Sequence, residues 1–396
     1  MTSNPSKRSL STPAQSLIWF GASVSLAEIL TGSFFAPLGW EAGMAAILLG
    51  HLIGCALFAL IALASARTGQ TAMQMAGRSF GHHGSKLFSV ANVIQLVGWT
   101  AIMVYSGASA AMQLVPQAGL AVWGLAIGAL IVIWIAVGVK RMGQVQSIAA
   151  VLLFICTGVA CFSVFGQPSA SSVPTQEAIT FGSAVELAIA MPLSWLPVVG
   201  DYTREAKNPK VGAAAATIAY GLGSCWMFAI GLGCALFTDS GDLVSAINQI
   251  GFGVIGIIIV VFSTVTTTFL DAQSAGISAE ALHPKLNAKI CGIVAAIIGT
   301  VLALLAPVGD FEDFLYFIGS IFAPMATIVS VDFFLLNRNR TAFGVDWRNM
   351  IIWVCGFMLY RISLGWDLPC GNTLPVMAVI AVICIAADAI MHRRHT

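Results

Sequence analysis

Met191-Pro-Leu-Ser-Trp-Leu-Pro197 stands about a dozen residues into an apolar run that covers 180–200. A helix that crosses a bilayer needs about 20 predominantly apolar residues, and this run has that length. Each proline, however, lacks an amide donor, and its ring crowds the preceding turn. Backbone groups freed in this way are tolerated in lipid only where they face a cavity, an ion or a ligand. The same argument applies to Ala27-Glu-Ile-Leu-Thr-Gly-Ser33, about a dozen residues into the run 16–38. There a glycine loosens the backbone and a glutamate interrupts the apolar stretch. The pair reads as two discontinuous helices or as two ordinary kinks, since Gly and Pro are frequent in membrane helices.

Working outward, ten further runs accompany these two: 43–66, 87–114, 119–139, 147–166, 211–238, 251–273, 289–307, 314–336, 350–364 and 373–391. The expected fold is therefore all-α and polytopic, with twelve transmembrane helices joined by short loops. The 396 residues are 58% hydrophobic and only 9% charged, against the roughly 25% charged residues of a soluble domain. The net charge of +1 and the absence of any Lys/Arg tract speak against a nucleic-acid partner. Nine cysteines show no CxxC spacing, and most sit inside apolar runs, as small packing residues do. Lys7 and Arg8 precede a span too long for a signal h-region, so the first helix reads as retained.

Basic residues resist translocation. With the N-terminus inside, 17 of the 18 Lys and Arg fall on the cytoplasmic side, Lys140, Arg141, Lys285 and Arg338 among them. Only Arg361 lies elsewhere. The opposite loops carry Glu41, Glu177, Asp239, Asp242, Asp310, Glu312, Asp313 and Asp367. Both termini are expected in the cytoplasm, with the protein in the inner or plasma membrane. Secondary transporters often consist of two inverted five-helix repeats, each opening with a discontinuous helix. The corresponding division is a tail 1–15, a first repeat 16–166, a second repeat 180–336, two extra helices 350–391 and a tail 392–396.

Carboxylates at bilayer depth are costly and normally face protein, water or a partner. Glu28 coincides with the first interruption, where it caps a half-helix, bonds an amino-substituted ring or carries a proton. Glu186 lies within a run, and Asp332 and Asp388 lie near span ends. In the eighth run Ser263, Thr266, Thr267 and Asp271 share one helical face. Stacked hydroxyls suit a hard cation, and they equally suit bonds to backbone carbonyls or neighbouring helices. Gln95 and Trp99, four residues apart, offer an amide and an indole to a flat ring, or pack between helices. The pair His82-His83 has no second ligand cluster to make a metal site. No nucleophile elbow or phosphate loop points to an enzyme.

Trp195-Leu-Pro-Val-Val-Gly-Asp201-Tyr-Thr-Arg204 resembles the Asp-aromatic-x-Arg signature of the nucleobase–cation symporters, the cytosine permease and hydantoin transporter group. Gly98-Trp99, Thr31-Gly32, Thr266-Thr267, Phe314-Leu-Tyr-Phe-Ile-Gly-Ser320 and Val331-Asp332-Phe-Phe-Leu-Leu-Asn-Arg338 fall, in order, where that family has similar elements. The form Gly200-Asp-Tyr-Thr-Arg204 is most similar to the hydroxymethylpyrimidine permeases of the CytX type, linked to thiamine-precursor salvage. The resemblance implies a LeuT-like 5+5 inverted repeat and an Na⁺ site between the first and eighth spans. That site would use carbonyls of Gly21 and Val24 with Ser263, Thr266 and Thr267. It implies substrate contacts from Ser25, Leu26, Glu28, Gln95, Trp99, Pro192, Trp195 and Asp271. Members of the group place a stacking aromatic where this chain has Pro192, and Trp195 lies about one turn later. Glu28 replaces a small polar residue, which suggests a ring other than cytosine.

The expectation is thus Na⁺-driven uptake of a small pyrimidine, with H⁺ as the alternative ion and no organic cofactor. Cytosine, another nucleobase or a hydantoin-like ring is the nearest alternative substrate. An amino-acid carrier of the same fold, a membrane enzyme and a passive channel are more remote. Protein partners are not legible.

Overall fold

The computed structural model describes residues 8–137, 148, 151–155, 157–159, 179–237, 253–283, 285–305 and 311–393. Much of the run 147–166 lies outside the described residues, as do Lys7, Lys140, Arg141, Cys156, Cys161, Glu177, Asp239, Asp242, Asp310 and Arg394. The named elements are helices throughout. In chain order they are α1 (Thr12–Ser23), α2 (Leu26–Ser33), α3 (Gly39–Thr68), α4 (Ala72–Leu114) and α5 (Gly119–Val137). They continue with α6 (Phe181–Ser194), α7 (Leu196–Thr203), α8 (Pro209–Phe237), α9 (Gly253–Leu282) and α10 (Ala288–Leu305). The chain closes with α11 (Phe311–Phe334), α12 (Trp347–Ser363) and α13 (Thr373–Arg393). Among the described residues, eight helices are long and apolar enough to cross a membrane. The halves α1 and α2, of 12 and 8 residues, and the 17-residue α12 fall short of that length individually.

Both expected interruptions exist, but the first is displaced. The chain leaves helical geometry at Val24 and Ser25, whereas Ala27–Ser33 is helical. The reason is a cap: Ser25 is extended, and its hydroxyl accepts from the Glu28 amide at 3.4 Å, starting a new helix. Gly32 serves packing instead. A Cβ there would run into the backbone of Phe228, and one at Gly231 into Ile29 and Ser33, so α2 and α8 touch backbone to backbone. The second break is confined to Trp195. Pro192 lies inside α6, and Pro197 occupies the first turn of α7, where no amide partner is required.

Around this centre α3 packs on α6 and α8, α4 packs on α9 and α10, and α11 leans on α6. The long α4 is bent at Gly81, whose positive φ of 82° suits glycine alone, and the helix restarts at His82. The amides of His82 and His83 donate to Phe343 O and Gly344 O, so these histidines begin a helix rather than sit in a loop.

The last two helices are fastened at both ends. The Glu186 carboxylate of α6 accepts from the amides of Asn372 (2.6 Å) and Thr373 (2.8 Å), from the Thr373 hydroxyl, and from Tyr360 Oη. Glu186 thereby caps α13. At the other end Arg338 pairs with Asp346 at 3.3 Å and Asp388 at 3.4 Å, and Arg348 pairs with Asp388 at 3.3 Å. The Asn349 amide donates to Asp332 at 2.7 Å. These carboxylates join helices to one another. The described cysteines are free thiols.

Candidate functional site

The two breaks meet at one cavity, lined by Ala22, Ser25, Ala27, Glu28, Trp99, Met103, Met191, Trp195, Thr267 and Asp271. The start of α2 supplies Ser25, Ala27 and Glu28, and the break between α6 and α7 supplies Trp195. Helix α4 contributes Trp99 as one aromatic wall. Gly98 beside it leaves room for the Phe314 ring, which meets the Trp99 indole edge-on with centroids 5.7 Å apart. Trp195 is braced the same way by Trp19, at 5.6 Å and 88°. Both indoles are thereby fixed by packing, and among the described residues the Trp99 Nε1 has no hydrogen-bond acceptor.

Helix α9 brings the polar stripe to this wall. Ser263 Oγ donates to Val24 O at 3.1 Å, and Thr267 Oγ1 donates to Gly21 O at 3.4 Å. Those carbonyls are available because the helix stops: the Glu28 amide, which would have bonded Val24 O in a continuous helix, bonds Ser25 Oγ instead. Two hydroxyls of α9 thus meet two carbonyls at the end of α1, an all-oxygen set of the kind that suits a hard monovalent cation. Thr266 is buried, but its hydroxyl turns back to Ser263 O within α9 at 2.9 Å. Asp271, one turn beyond Thr267, is 3% exposed and lines the cavity. Among the described residues, no group donates a hydrogen bond to its carboxylate.

Other expected contacts stand behind the wall. The Gln95 amide donates to Asn92 Oδ1 at 2.7 Å and to Ser194 O at 2.9 Å. Asn92 in turn donates to Pro197 O and, at 2.7 Å, to Ser278 Oγ. The pair therefore satisfies carbonyls on either side of the α6–α7 break. Pro192 packs against Gly54 of α3, and Leu26 belongs to an apolar cluster with Ile29, Met227 and Ile230.

Glu28 faces the cavity and is also held from behind. Tyr220 Oη donates to its Oε1 at 2.9 Å, while Ser224 Oγ lies 2.6 Å both from its Oε2 and from His51 Nε2. Neither Met103 and Met191 nor this network was anticipated from sequence. His51 carried a signal, because an ionisable side chain inside the run 43–66 is as costly there as Glu28 is in its own. Tyr220 and Ser224, at helical i, i+4 spacing, carry none without knowledge of their partner.

A cavity between two broken helices, walled by indoles and flanked by hydroxyl and carbonyl oxygens, is the arrangement expected of a membrane transporter. The chain matches the family described as permeases for cytosine/purines, uracil, thiamine and allantoin over residues 3–382, and it belongs to that family of nucleobase–cation symporters. Cytosine permeases of Escherichia coli K12 and O157:H7 are each 25% identical over 395 residues, covering 97% of this chain and 92% of theirs. The fold is shared with Mhp1, a nucleobase-cation-symport-1 family transporter solved in a closed conformation with bromovinylhydantoin bound. There the TM-score is 0.81 at 18% identity, covering 100% of this chain and 97% of that one. A Na⁺-coupled sialic acid symporter in a substrate-bound outward-open state has a TM-score of 0.68 at 14% identity, covering 95% and 88%.

Proposed function

We propose that this chain is a sodium-coupled carrier of a small aminopyrimidine, with hydroxymethylpyrimidine as the substrate to test first. The observation that carries this reading is Asp271, a buried carboxylate on the cavity wall with no hydrogen-bond donor among the described residues. An acceptor in that state favours a ring bearing N–H groups. Glu28 adds a second acidic edge, and Trp99 and Trp195 supply faces on which a flat ring stacks. Cytosine also carries an amino group and N–H donors, so it is the second reading, favoured by the relationship to the cytosine permeases.

The ion reading rests on Gly21 O, Val24 O, Ser263 Oγ and Thr267 Oγ1, with Thr266 held in reserve by its bond to Ser263 O. Thr267 borders both this oxygen cluster and the cavity. A cation held there ties α1 to α9 and stabilises one side of the cavity. Ring and ion then favour each other, and rocking of one helix group against the other exposes both to the opposite face.

The twelve spans and the two five-helix repeats belong to the same proposal. Its support is that the halves of the broken helices correspond, 12 and 8 residues in one case, 14 and 8 in the other. Cytoplasmic termini are proposed from the basic residues. In support, the N-terminal segment at Leu10 pairs with Glu205 and Lys207, next to the basic loop after α7.

The test is uptake of labelled hydroxymethylpyrimidine into proteoliposomes with an imposed Na⁺ gradient, competed by cytosine, allantoin and amino acids. Accumulation that collapses without the gradient, and that unlabelled hydroxymethylpyrimidine suppresses best, is the expected result. Preferential suppression by cytosine transfers the assignment to the second reading. Flux that neither saturates nor needs an ion would contradict both.

A further inference from the structure

Hydrogens in the network behind Glu28 can be counted. His51 Nδ1 lies 2.8 Å from Ile47 O, and a carbonyl only accepts, so Nδ1 carries a hydrogen. His51 Nε2 and Glu28 Oε2 each lie 2.6 Å from Ser224 Oγ, a hydroxyl with a single hydrogen to give. If that hydrogen points to Glu28, Nε2 must donate to Ser224, and an imidazolium faces a carboxylate through the hydroxyl. If it points to Nε2, Glu28 must donate to Ser224, and both ends are neutral. Tyr220 donates to Oε1 in either case. The two arrangements contain the same extra proton. Removing it leaves one of the two short contacts without a hydrogen, among four side chains that are each at most 2% exposed.

We infer that Glu28, Ser224 and His51 together form a proton-binding site in the wall of the substrate cavity. The proton moves between its ends by a balanced relay. Glu28 Oε2 gives its proton to Ser224 Oγ as the Ser224 hydroxyl proton passes to His51 Nε2. The other titratable groups facing Glu28 are Tyr220 and Cys225 of α8, Cys55 of α3 and, on the same cavity, Asp271 of α9. Among the described residues, no lysine or arginine lines the cavity. A ring with an amino group at Glu28 favours the carboxylate and drives the proton to His51. A ring presenting an acceptor there holds the proton on Glu28. The site deepens the carrier reading, and it rests on that reading only for the identity of the ring.

Infrared difference spectra of the purified protein, cycled between acidic and alkaline buffer without substrate or Na⁺, test the inference. A carboxylic-acid band absent from Glu28→Gln and an imidazole band absent from His51→Gln are expected to change together, with one midpoint. Ser224→Ala is expected to separate them into two midpoints. If Glu28→Gln does not fold, ¹³C-labelled glutamate in the wild-type protein assigns the carboxyl band. Independent midpoints in the wild type, no titration of either group, or a common midpoint that survives in Ser224→Ala would overturn the site. Because neither ion nor ring is present, such a failure leaves the transport reading standing. Na⁺-dependent stabilisation by hydroxymethylpyrimidine in the same preparation tests that reading separately.

Discussion

Thr267 joins the two halves of the proposed site, since its hydroxyl meets Gly21 O and its side chain borders the cavity. Thr267→Ala removes one oxygen from the cluster and little volume. The expected effect is a loss of about 1–2 kcal/mol of ion binding, seen as a rise in the Na⁺ concentration that half-stabilises the protein to heat. An unchanged Na⁺ midpoint would remove Thr267 from the ion site. Asp271→Asn replaces an acceptor that has no donor among the described residues by a group that is half donor. Ring affinity is expected to fall by about 1.5–3 kcal/mol, the scale of a hydrogen bond to a charged group. Trp99→Ala is expected to lose about 1–3 kcal/mol of ring binding, the base-on-aromatic scale, measured by calorimetric titration. Full affinity in Trp99→Ala would mean that the indole only packs on Phe311 and Phe314. At this scale the sequence was legible where cost showed. Glu28, Asp271 and the Ser263–Thr267 stripe stand out because polar groups in apolar runs need a reason. Tyr220 and Ser224 do not, because their partner lies 192 and 196 residues away in the chain.

Two broken helices carry the site, and their exact geometry was only partly readable. Proline and glycine marked both neighbourhoods, yet the first break, at Val24 and Ser25, falls two to three residues before the marked stretch, and a serine cap makes it. Gly32 drew attention as a helix breaker, although it is required where α2 meets the backbone of α8. Spacing alone does not separate these two uses of glycine. Gly32→Leu is accordingly expected to destabilise the protein by at least the ~1–3 kcal/mol of an overpacked core, lowering its melting temperature in detergent. A variant as stable as the wild type would contradict the close approach of the two helices. The second break was located within its marked stretch, at Trp195. What sequence did not show is that Asn92 and Gln95 satisfy its carbonyls from α4, so that the amide expected to read the ring supports the helix that shapes its pocket.

Across the whole molecule, membrane-embedded character was plain from composition, because 9% charged residues cannot cover a water-facing surface. The order of family motifs along the chain identified its relatives. The division of labour among carboxylates was only partly visible: Asp332 and Asp388 stand near span ends, but Glu186 lies within an apolar run as Glu28 does, and it ties helices together in space. The central claim is that an ion held by the α1 break and α9 and a ring held in the adjoining cavity assist each other. Linkage makes this reciprocal: each must tighten the other by the same factor. The direct measurement is calorimetric titration of purified protein with hydroxymethylpyrimidine at a series of Na⁺ concentrations, and with Na⁺ at a series of ring concentrations. Equal factors in the two directions, both reduced in Thr267→Ala, are predicted. Ring binding that is the same with and without Na⁺ would contradict the account.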